Sequence, residues 1–171
     1  AGQTVSLFGS SLVQYAVIWY LTLTTKDGTV LALSMVFAFV PQAVLSIFGG
    51  VWADRHNRKY LIMGSDAAIA LATLALALFM INGYTSVGLI FAALAVRSAG
   101  AGIQTPAVSA ALPQIVPSEK LLRVNGINST IQSAMMLIAP PIAAVLYANF
   151  SMPTIFLIDV VTAVIGIGIL A

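Results

Sequence analysis

Apolar residues fill six long segments of this chain, and short polar stretches separate them. The polar stretches lie at residues 26–28, 54–59, 82–84, 113–123 and 149–153. The apolar segments run roughly over residues 3–23, 30–52, 60–81, 86–111, 124–148 and 153–171. Each has close to the ~20 residues that a helix needs to cross a bilayer. None shows the alternation of a barrel strand, so the pattern predicts an all-α membrane protein with six transmembrane helices.

The composition of the chain agrees with a lipid environment. Hydrophobic residues make up 60% of the 171 residues and charged residues only 7%, whereas a soluble domain has about a quarter charged residues. Seven Lys and Arg residues are too few for a nucleic-acid surface. The sequence has no cysteine, and His56 is the sole histidine, so we expect neither a disulfide nor a metal site. We therefore expect the lipid bilayer as a partner and no nucleic acid.

The sequence also lacks the motifs of common enzymes. It has no glycine-rich phosphate loop, no histidine cluster and no nucleophile elbow. Ser10 and Ser11 have no histidine or lysine near them in the sequence. We therefore expect a protein that is not an enzyme and that binds no cofactor.

Basic residues are divided unequally between the loops. The odd-numbered loops contain only Lys26. Five others lie in the second and fourth loops, namely Arg55, Arg58, Lys59, Lys120 and Arg123. Lys and Arg accumulate on the cytoplasmic side of membrane proteins. We therefore expect a multi-pass protein of the plasma membrane, with the second and fourth loops and both ends of the chain in the cytoplasm.

Prolines interrupt one span in each half of the chain. Pro41 lies in the second span, and Pro140 and Pro141 lie in the fifth. Inverted three-helix repeats are common in transporters, whose binding site lies near the middle of the membrane at the repeat interface. Prolines are frequent in membrane helices generally. Their similar positions in the second and the fifth span nevertheless favour two inverted three-helix repeats.

Arg97 lies near the middle of the fourth span. An arginine at this depth costs at least about 2.5–3.5 kcal/mol to insert, so its side chain is expected to face a cavity or a partner. Two interpretations follow. Arg97 takes part in binding substrate or coupling protons, or it forms a structural ion pair between two helices.

Two acids are also expected to be buried. Asp66 lies about two turns, or roughly 9 Å, into the third span from the cytoplasmic side, so a pair with Arg97 is geometrically allowed. Asp159 lies about two turns into the sixth span from the outer side. A buried carboxylate far from any arginine is the better proton carrier, which favours Asp159 in that role. The alternative for both is a carboxylate that only hydrogen-bonds neighbouring helices.

Polar residues recur at helical spacing on three spans, so each set falls on one face of its helix. Such a face lines water or hydrogen-bonds another helix, and three of them predict one shared aqueous cavity. The sets are Gln3, Ser6, Ser10 and Gln14 in span one, Arg97 and Gln104 in span four, and Asn125, Asn128 and Gln132 in span five. Candidates for soft and aromatic walls of this cavity are Tyr15, Trp19, Tyr20, Met135 and Met136.

The second loop places one acid among basic residues. Asp54 stands at the cytoplasmic end of the second span and is followed by Arg55, Arg58 and Lys59. A carboxylate there can bond to the positive N-terminus of a helix in a partner domain. We expect these contacts to hold the cytoplasmic side closed and to break when it opens. Topology alone would explain the basic residues but not the acid among them.

This loop resembles the signature of the major facilitator superfamily: a glycine, three residues, Asp-Arg, two residues and Arg-Lys. The residues that match it are Gly50, Asp54, Arg55, Arg58 and Lys59. Asn57 stands where the family usually has glycine, and asparagine tolerates a left-handed turn.

Other segments resemble further motifs of the same family. Arg97, Gly100 and Gly102 resemble its span-four motif, with Ala101 at a glycine position. Residues 139–144 resemble a degraded antiporter motif of span five, with alanines for its glycines. Residues 1–3, 19–22, 105–107 and 112–117 are similar to the macrolide-efflux branch.

The resemblance implies a proton-driven exporter of amphiphilic, macrolide-like drugs that works by alternating access. Residues 1–171 would then be its N-terminal six-helix domain, cut at both ends and lacking the second six-helix half of a twelve-helix fold. The alternatives are an exporter of another substrate, such as a siderophore or a lipid, and a membrane scaffold that does not transport. The substrate and proton pathway would comprise Gln14, Asp66, Arg97, Gln104, Asn128, Gln132 and Asp159.

Overall fold

The computed structural model describes the backbone of residues 2–170 and their side chains except at residues 2, 3, 115 and 170. The Gln3 side chain of the predicted polar stripe therefore lies outside the described residues. The six helices are α1 (Gly2–Thr25), α2 (Gly28–Arg55), α3 (Arg58–Ile81), α4 (Val87–Ile115), α5 (Ser118–Asn149) and α6 (Met152–Leu170). All six are long and apolar enough to cross a membrane, which confirms the predicted all-α class.

The largest difference from the predicted boundaries lies at the fourth loop. A break was expected over residues 113–123, but α4 continues to Ile115 and α5 begins at Ser118. Pro117 occupies the N-cap position of α5 without a side-chain hydrogen bond. Glu119 lies in the first turn of α5, where a carboxylate interacts favourably with the helix dipole.

The other turns use specific capping residues. The Asp27 carboxylate accepts from the Thr29 N–H at the start of α2, and Ser86 caps α4 in the same way. Asn57, which stands where the family usually has glycine, has a φ of −65° and therefore does not use the left-handed conformation that asparagine tolerates. Its side chain accepts from the Lys59 N–H, so it caps α3. The left-handed residue at the end of α3 is Gly83, with a φ of 81°, a conformation that glycine adopts without the strain it causes in other residues.

The helix packing is consistent with two repeats. The main neighbours of α1 are α5 and α6, those of α4 are α2 and α3, and α3 also contacts α6. If α1, α2 and α3 are exchanged for α4, α5 and α6, the same pairs of helices are in contact. Because each unit has an odd number of spans, the two units cross the membrane in opposite directions, as an inverted repeat requires.

An apolar core fills one half of the bundle. It includes Leu12, Val17, Leu94 and Phe156 and lies toward the ends where α1 and α3 finish and α4 and α6 begin. The other half, toward the α2–α3 loop, contains buried polar side chains and cavities. The fold therefore separates a closed apolar end from an end with polar clefts.

Glycines allow α2 and α4 to approach closely. A Cβ on Gly102 would lie 2.7 Å from the Gln42 carbonyl oxygen, and one on Gly49 would lie 2.8 Å from the Gly102 carbonyl oxygen. Pro106 has no N–H, so the Gly102 carbonyl, four residues earlier, lacks its usual helical donor. Glycine at position 49 lets α2 pack directly against this carbonyl.

A second contact between the same helices lies beside Pro41. The Gln42 N–H donates to the Ser98 Oγ at 3.0 Å. Prolines are tolerated in membrane helices when a neighbouring helix satisfies the backbone groups near the break. Ser98 therefore fixes the interrupted part of α2 to α4.

Candidate functional site

A buried ion pair joins α4 to α6. The Arg97 guanidinium contacts the Asp159 carboxylate, and the two residues are 5% and 0% exposed. The Asp159 carboxylate also accepts from the Ser10 Oγ at 2.7 Å and from the Thr73 Oγ1 at 2.8 Å. Arg97 donates to the Thr73 Oγ1 and to the Ser10 carbonyl oxygen, the latter at 3.0 Å. Four helices therefore meet at one charged pair.

This pair corrects the expected partners of both acids. Arg97 was expected to be within reach of Asp66, but it binds Asp159. Asp159 was favoured as a lone proton carrier, and its contact with Arg97 removes the premise of that assignment. The long Arg97 side chain reaches past the helices that pack directly on α4. The position of a residue within its own span does not reveal which other helix its side chain can reach.

Asp66 lies in a second buried cluster. Its Oδ1 accepts from the Ser6 Oγ and from the Gln104 Nε2, each at 2.7 Å. Asp66 and Gln104 are both 2% exposed. Asp66 and Thr73 are seven residues apart on α3, which corresponds to about 10 Å along a helix axis. The two clusters are therefore stacked along the bundle.

A cavity of about 280 Å³ opens beside these clusters between α1, α2, α4 and α5. A smaller cavity of about 190 Å³ reaches Gln14 and Arg97 and shares several lining residues with it, including Gln42 and Gln104. All the described side chains that line the larger cavity are neutral. They are Thr4, Leu7, Ser11, Tyr15, Gln42, Gln104, Thr105, Val108, Ser109, Asn128, Gln132, Met135 and Met136.

The structure divides the predicted pathway residues into two groups. Gln104, Asn128 and Gln132 line the larger cavity, and Gln14 and Arg97 line the smaller one. Asp66 and Asp159 lie behind the cavities in the two hydrogen-bonded clusters. Of the predicted walls, Tyr15, Met135 and Met136 line the cavity. Tyr20 instead packs edge-to-face on Tyr147, and Trp19 is exposed.

The sequence reasoning missed Thr73 and Gln42. Thr73 follows Asp66 by seven residues, so the two lie on nearly the same face of α3, and this spacing could have indicated it. Gln42 follows Pro41 directly in an otherwise apolar stretch, and it lines both cavities. A polar residue next to a proline in a membrane helix was the available signal.

The loop between α2 and α3 surrounds a third cavity. The Arg58 Nε donates to the Ala53 carbonyl oxygen at 3.0 Å, and its NH2 lies 3.5 Å from the Asp54 Oδ1. The Asp54 side chain is 74% exposed. Ala111 and Gln114 of α4 complete the lining of this cavity, whose volume is about 490 Å³. Arg58 therefore anchors the loop to the end of α2 and leaves most of the Asp54 carboxylate accessible.

Known proteins resemble most of this chain. Macrolide efflux protein A of Streptococcus pyogenes is 38% identical over 97% of the chain and 41% of its own length. The Enterococcus faecalis protein of the same name is 36% identical over 81% of the chain and 43% of its own length. The staphyloferrin A transporter of Staphylococcus aureus is 25% identical over 93% of the chain and 40% of its own length. The chain thus spans about two fifths of the length of these relatives.

No solved structure matches the chain significantly. The family model described as Major Facilitator Superfamily, by contrast, matches residues 1–171. With six membrane-spanning helices, a signature loop between α2 and α3, and a match over its full length, the chain belongs to the Major Facilitator Superfamily.

Proposed function

We propose that this chain is the N-terminal half of a transporter that exports an amphiphilic, macrolide-like drug across the plasma membrane by proton antiport. The observation that carries the proposal is the cavity between α1, α2, α4 and α5. It combines neutral amides and hydroxyls with Met135, Met136 and Tyr15. Polarizable methionines suit apolar surfaces of varied shape, and amides provide hydrogen bonds to hydroxyl and carbonyl groups. The similarity to the macrolide efflux proteins supports the same substrate class.

The charge of the cavity distinguishes this substrate from the alternatives. A strongly anionic siderophore would need cations to balance it in a low-dielectric site. Within the described residues, Arg97 is the one cation that lines either cavity, and Asp159 already pairs with it. The lining therefore favours a neutral or weakly charged molecule. A scaffold without transport activity would not need a polar cavity of this kind.

The surface of the bundle supports a second half. In the most apolar 18-residue stretch of α2 and of α5, only 11% of the residues are buried, compared with 33% to 44% in the same stretch of the other four helices. Along α5 the exposed residues include Asn125, Ser129, Gln132 and Ser133, which would be costly to leave in lipid. We propose that a second six-helix unit covers this face, and that the two units rock about the cavity during transport.

Export of erythromycin tests the proposed function. Cells that express the full-length transporter are expected to accumulate less labelled erythromycin than cells without it, and a protonophore should remove the difference. Gln132→Ala removes an amide that lines the cavity and can hydrogen-bond the substrate, so export is expected to weaken about two- to tenfold. The matched control is Asn149→Ala, which removes an exposed amide from the end of the same helix, outside the cavity lining. Export that ignores the protonophore, or equal losses in both variants, would contradict the proposal.

We further propose that the α2–α3 loop is cytoplasmic and that Asp54 holds that side closed. In sealed cells, His56→Cys should react only from the cytoplasm and Tyr84→Cys only from outside; both positions are exposed. Asp54→Asn is expected to raise the labelling rate of a cysteine at Ser109, a cavity residue, and to slow export without lowering the amount of protein. The surface pair with Arg58 contributes little stability.

The control for this experiment is Asp27→Asn. Asp27 is an exposed aspartate at the opposite end of α2, and asparagine caps a helix as well as aspartate does. Unchanged Ser109→Cys labelling in Asp54→Asn would reduce Asp54 to a marker of topology. Labelling of both His56→Cys and Tyr84→Cys from outside would overturn the orientation.

A further inference from the structure

The two buried acids have hydrogen-bond partners of different kinds. Asp159 is bound by Arg97, and a guanidinium can only donate hydrogen bonds. Asp66 is bound by the Ser6 hydroxyl and the Gln104 amide, and each of these groups can donate or accept. The first environment therefore fits only an ionised carboxylate, whereas these two partners of Asp66 fit both an ionised and a protonated acid.

This difference assigns separate roles to the acids. Protonation of Asp159 would leave the Arg97 charge buried without its counter-ion, which carries a large desolvation penalty. Protonation of Asp66 can be accommodated at these two contacts, because the Ser6 hydroxyl can rotate and the Gln104 amide can turn over. Asp159 is thus the fixed counter-ion of the bundle, and Asp66 is the acid able to exchange a proton.

Gln104 connects Asp66 to the transport cavities. Its side chain lines both the 280 Å³ and the 190 Å³ cavity, while its Nε2 donates to the Asp66 Oδ1 at 2.7 Å. When Asp66 is ionised, the NH₂ end of the amide faces the carboxylate and the carbonyl end points away from it. When Asp66 is protonated, its O–H can donate to the amide carbonyl, which reverses the amide.

We propose that Asp66 carries the coupling proton of this transporter and that Gln104 transmits its protonation state to the substrate site. A substrate hydroxyl or ammonium group donates to the Gln104 carbonyl, which stabilises the amide orientation that pairs with ionised Asp66. Binding therefore releases one proton from the Asp66 carboxyl group to water on the cytoplasmic side, and a proton that enters from outside restores the acid after the substrate has left. This inference rests on the proposed function of drug export.

The surrounding charges are compatible with this role. Of the helices that pack on α3, α4 contributes Arg97 and α6 contributes Asp159, and these two neutralise each other. Of the other neighbours, α2 contributes Asp54 and Arg55 at its exposed end. Helix α1 contacts Asp66 through Ser6, and its residues Gly2–Thr25 include no Asp, Glu, Lys or Arg. On α3 itself, Arg58 and Lys59 stand in the first turn, eight and seven residues before Asp66, respectively. The pH dependence of substrate binding is therefore expected to follow Asp66.

The test uses the full-length transporter in inside-out vesicles, with labelled erythromycin as the probe. Wild-type protein should exchange erythromycin at equal pH, accumulate it when the interior is acidic, and bind it about tenfold more tightly per pH unit while Asp66 is the group that loses the proton. Asp66→Asn should keep the exchange but lose both the accumulation and the pH dependence of binding. Asp66→Glu should recover part of the accumulation, and Asp27→Asn should behave as wild type.

The outcomes separate this inference from the proposed function. If wild-type vesicles neither exchange nor accumulate erythromycin, the proposed function fails and the inference with it. If wild type accumulates erythromycin and Asp66→Asn does so equally, only the inference is overturned. Should Asp66→Asn fail to reach the membrane, the number of protons released per erythromycin bound is measured in Gln104→Leu, whatever the loss of affinity. A lower number than in wild type supports the link through Gln104, and an unchanged number refutes it.

Discussion

Arg97→Ala is expected to abolish export and to lower the amount of folded transporter in the membrane. The substitution leaves the Asp159 carboxylate, which is 0% exposed, without its counter-ion. Breaking a buried ion pair in this way costs about 3–5 kcal/mol, a large part of the stability of most domains. Arg97→Lys keeps the charge but loses the planar fork that reaches both Asp159 and the Ser10 carbonyl, so only partial recovery is expected.

A second substitution identifies the partner of Arg97. Arg97→Ala combined with Asp159→Asn removes both charges and should restore much of the protein level, although export stays low if Arg97 also acts in transport. The same variant combined with Asp66→Asn should not restore it, because Asp66 lies in the other cluster. The measurements are membrane protein level, thermal unfolding in detergent and erythromycin accumulation. A stable and fully active Arg97→Ala protein, or rescue through Asp66 alone, would contradict the structure.

Gly102→Leu is expected to separate α2 from α4 and to lower the stability of the folded protein. Even a Cβ at this position would lie 2.7 Å from the Gln42 carbonyl oxygen and 3.0 Å from the Gln42 Cα. Both are backbone atoms, so a rotamer change cannot relieve the clash and the helix itself must move. Overpacking of this kind typically costs about 1–3 kcal/mol, and the shift would also break the bond between Ser98 and the Gln42 N–H. Thermal unfolding and protein level measure the effect.

Two single alanine variants provide a matched comparison. Gly88→Ala is the control, and Gly102→Ala tests the contact between α2 and α4. Both glycines belong to α4, but a Cβ on Gly88 would meet no atom within 4 Å. Alanine favours a helix over glycine by up to about 1 kcal/mol, so Gly88→Ala should be neutral or stabilising. Gly102→Ala should destabilise the protein, and less so than Gly102→Leu. Equal stability of the two alanine variants would show that α2 and α4 are not closely packed at Gly102.

The number and type of helices could be predicted from the sequence, because each span depends on local composition alone. The position of Arg97 near the middle of the membrane could also be predicted from the sequence. That position indicated that its charge needs a partner. The choice between Asp66 and Asp159 depends on which helices surround α4 and on how far a guanidinium reaches, and neither is encoded by position along one span. The Asp66 cluster was missed for the same reason, since Ser6, Asp66 and Gln104 come from three different helices.

The pair between Arg97 and Asp159 also constrains how this protein is made. Its two residues are separated by 62 positions, and a ribosome adds about 5–20 residues per second. The fourth helix therefore exists for about 3–12 seconds before the sixth can deliver the carboxylate. During this interval the membrane-insertion machinery must keep out of the lipid an arginine whose transfer into the bilayer is unfavourable. Release of the first helices into the bilayer before the sixth has been synthesised should therefore be unfavourable, and the six helices should leave that machinery as a group.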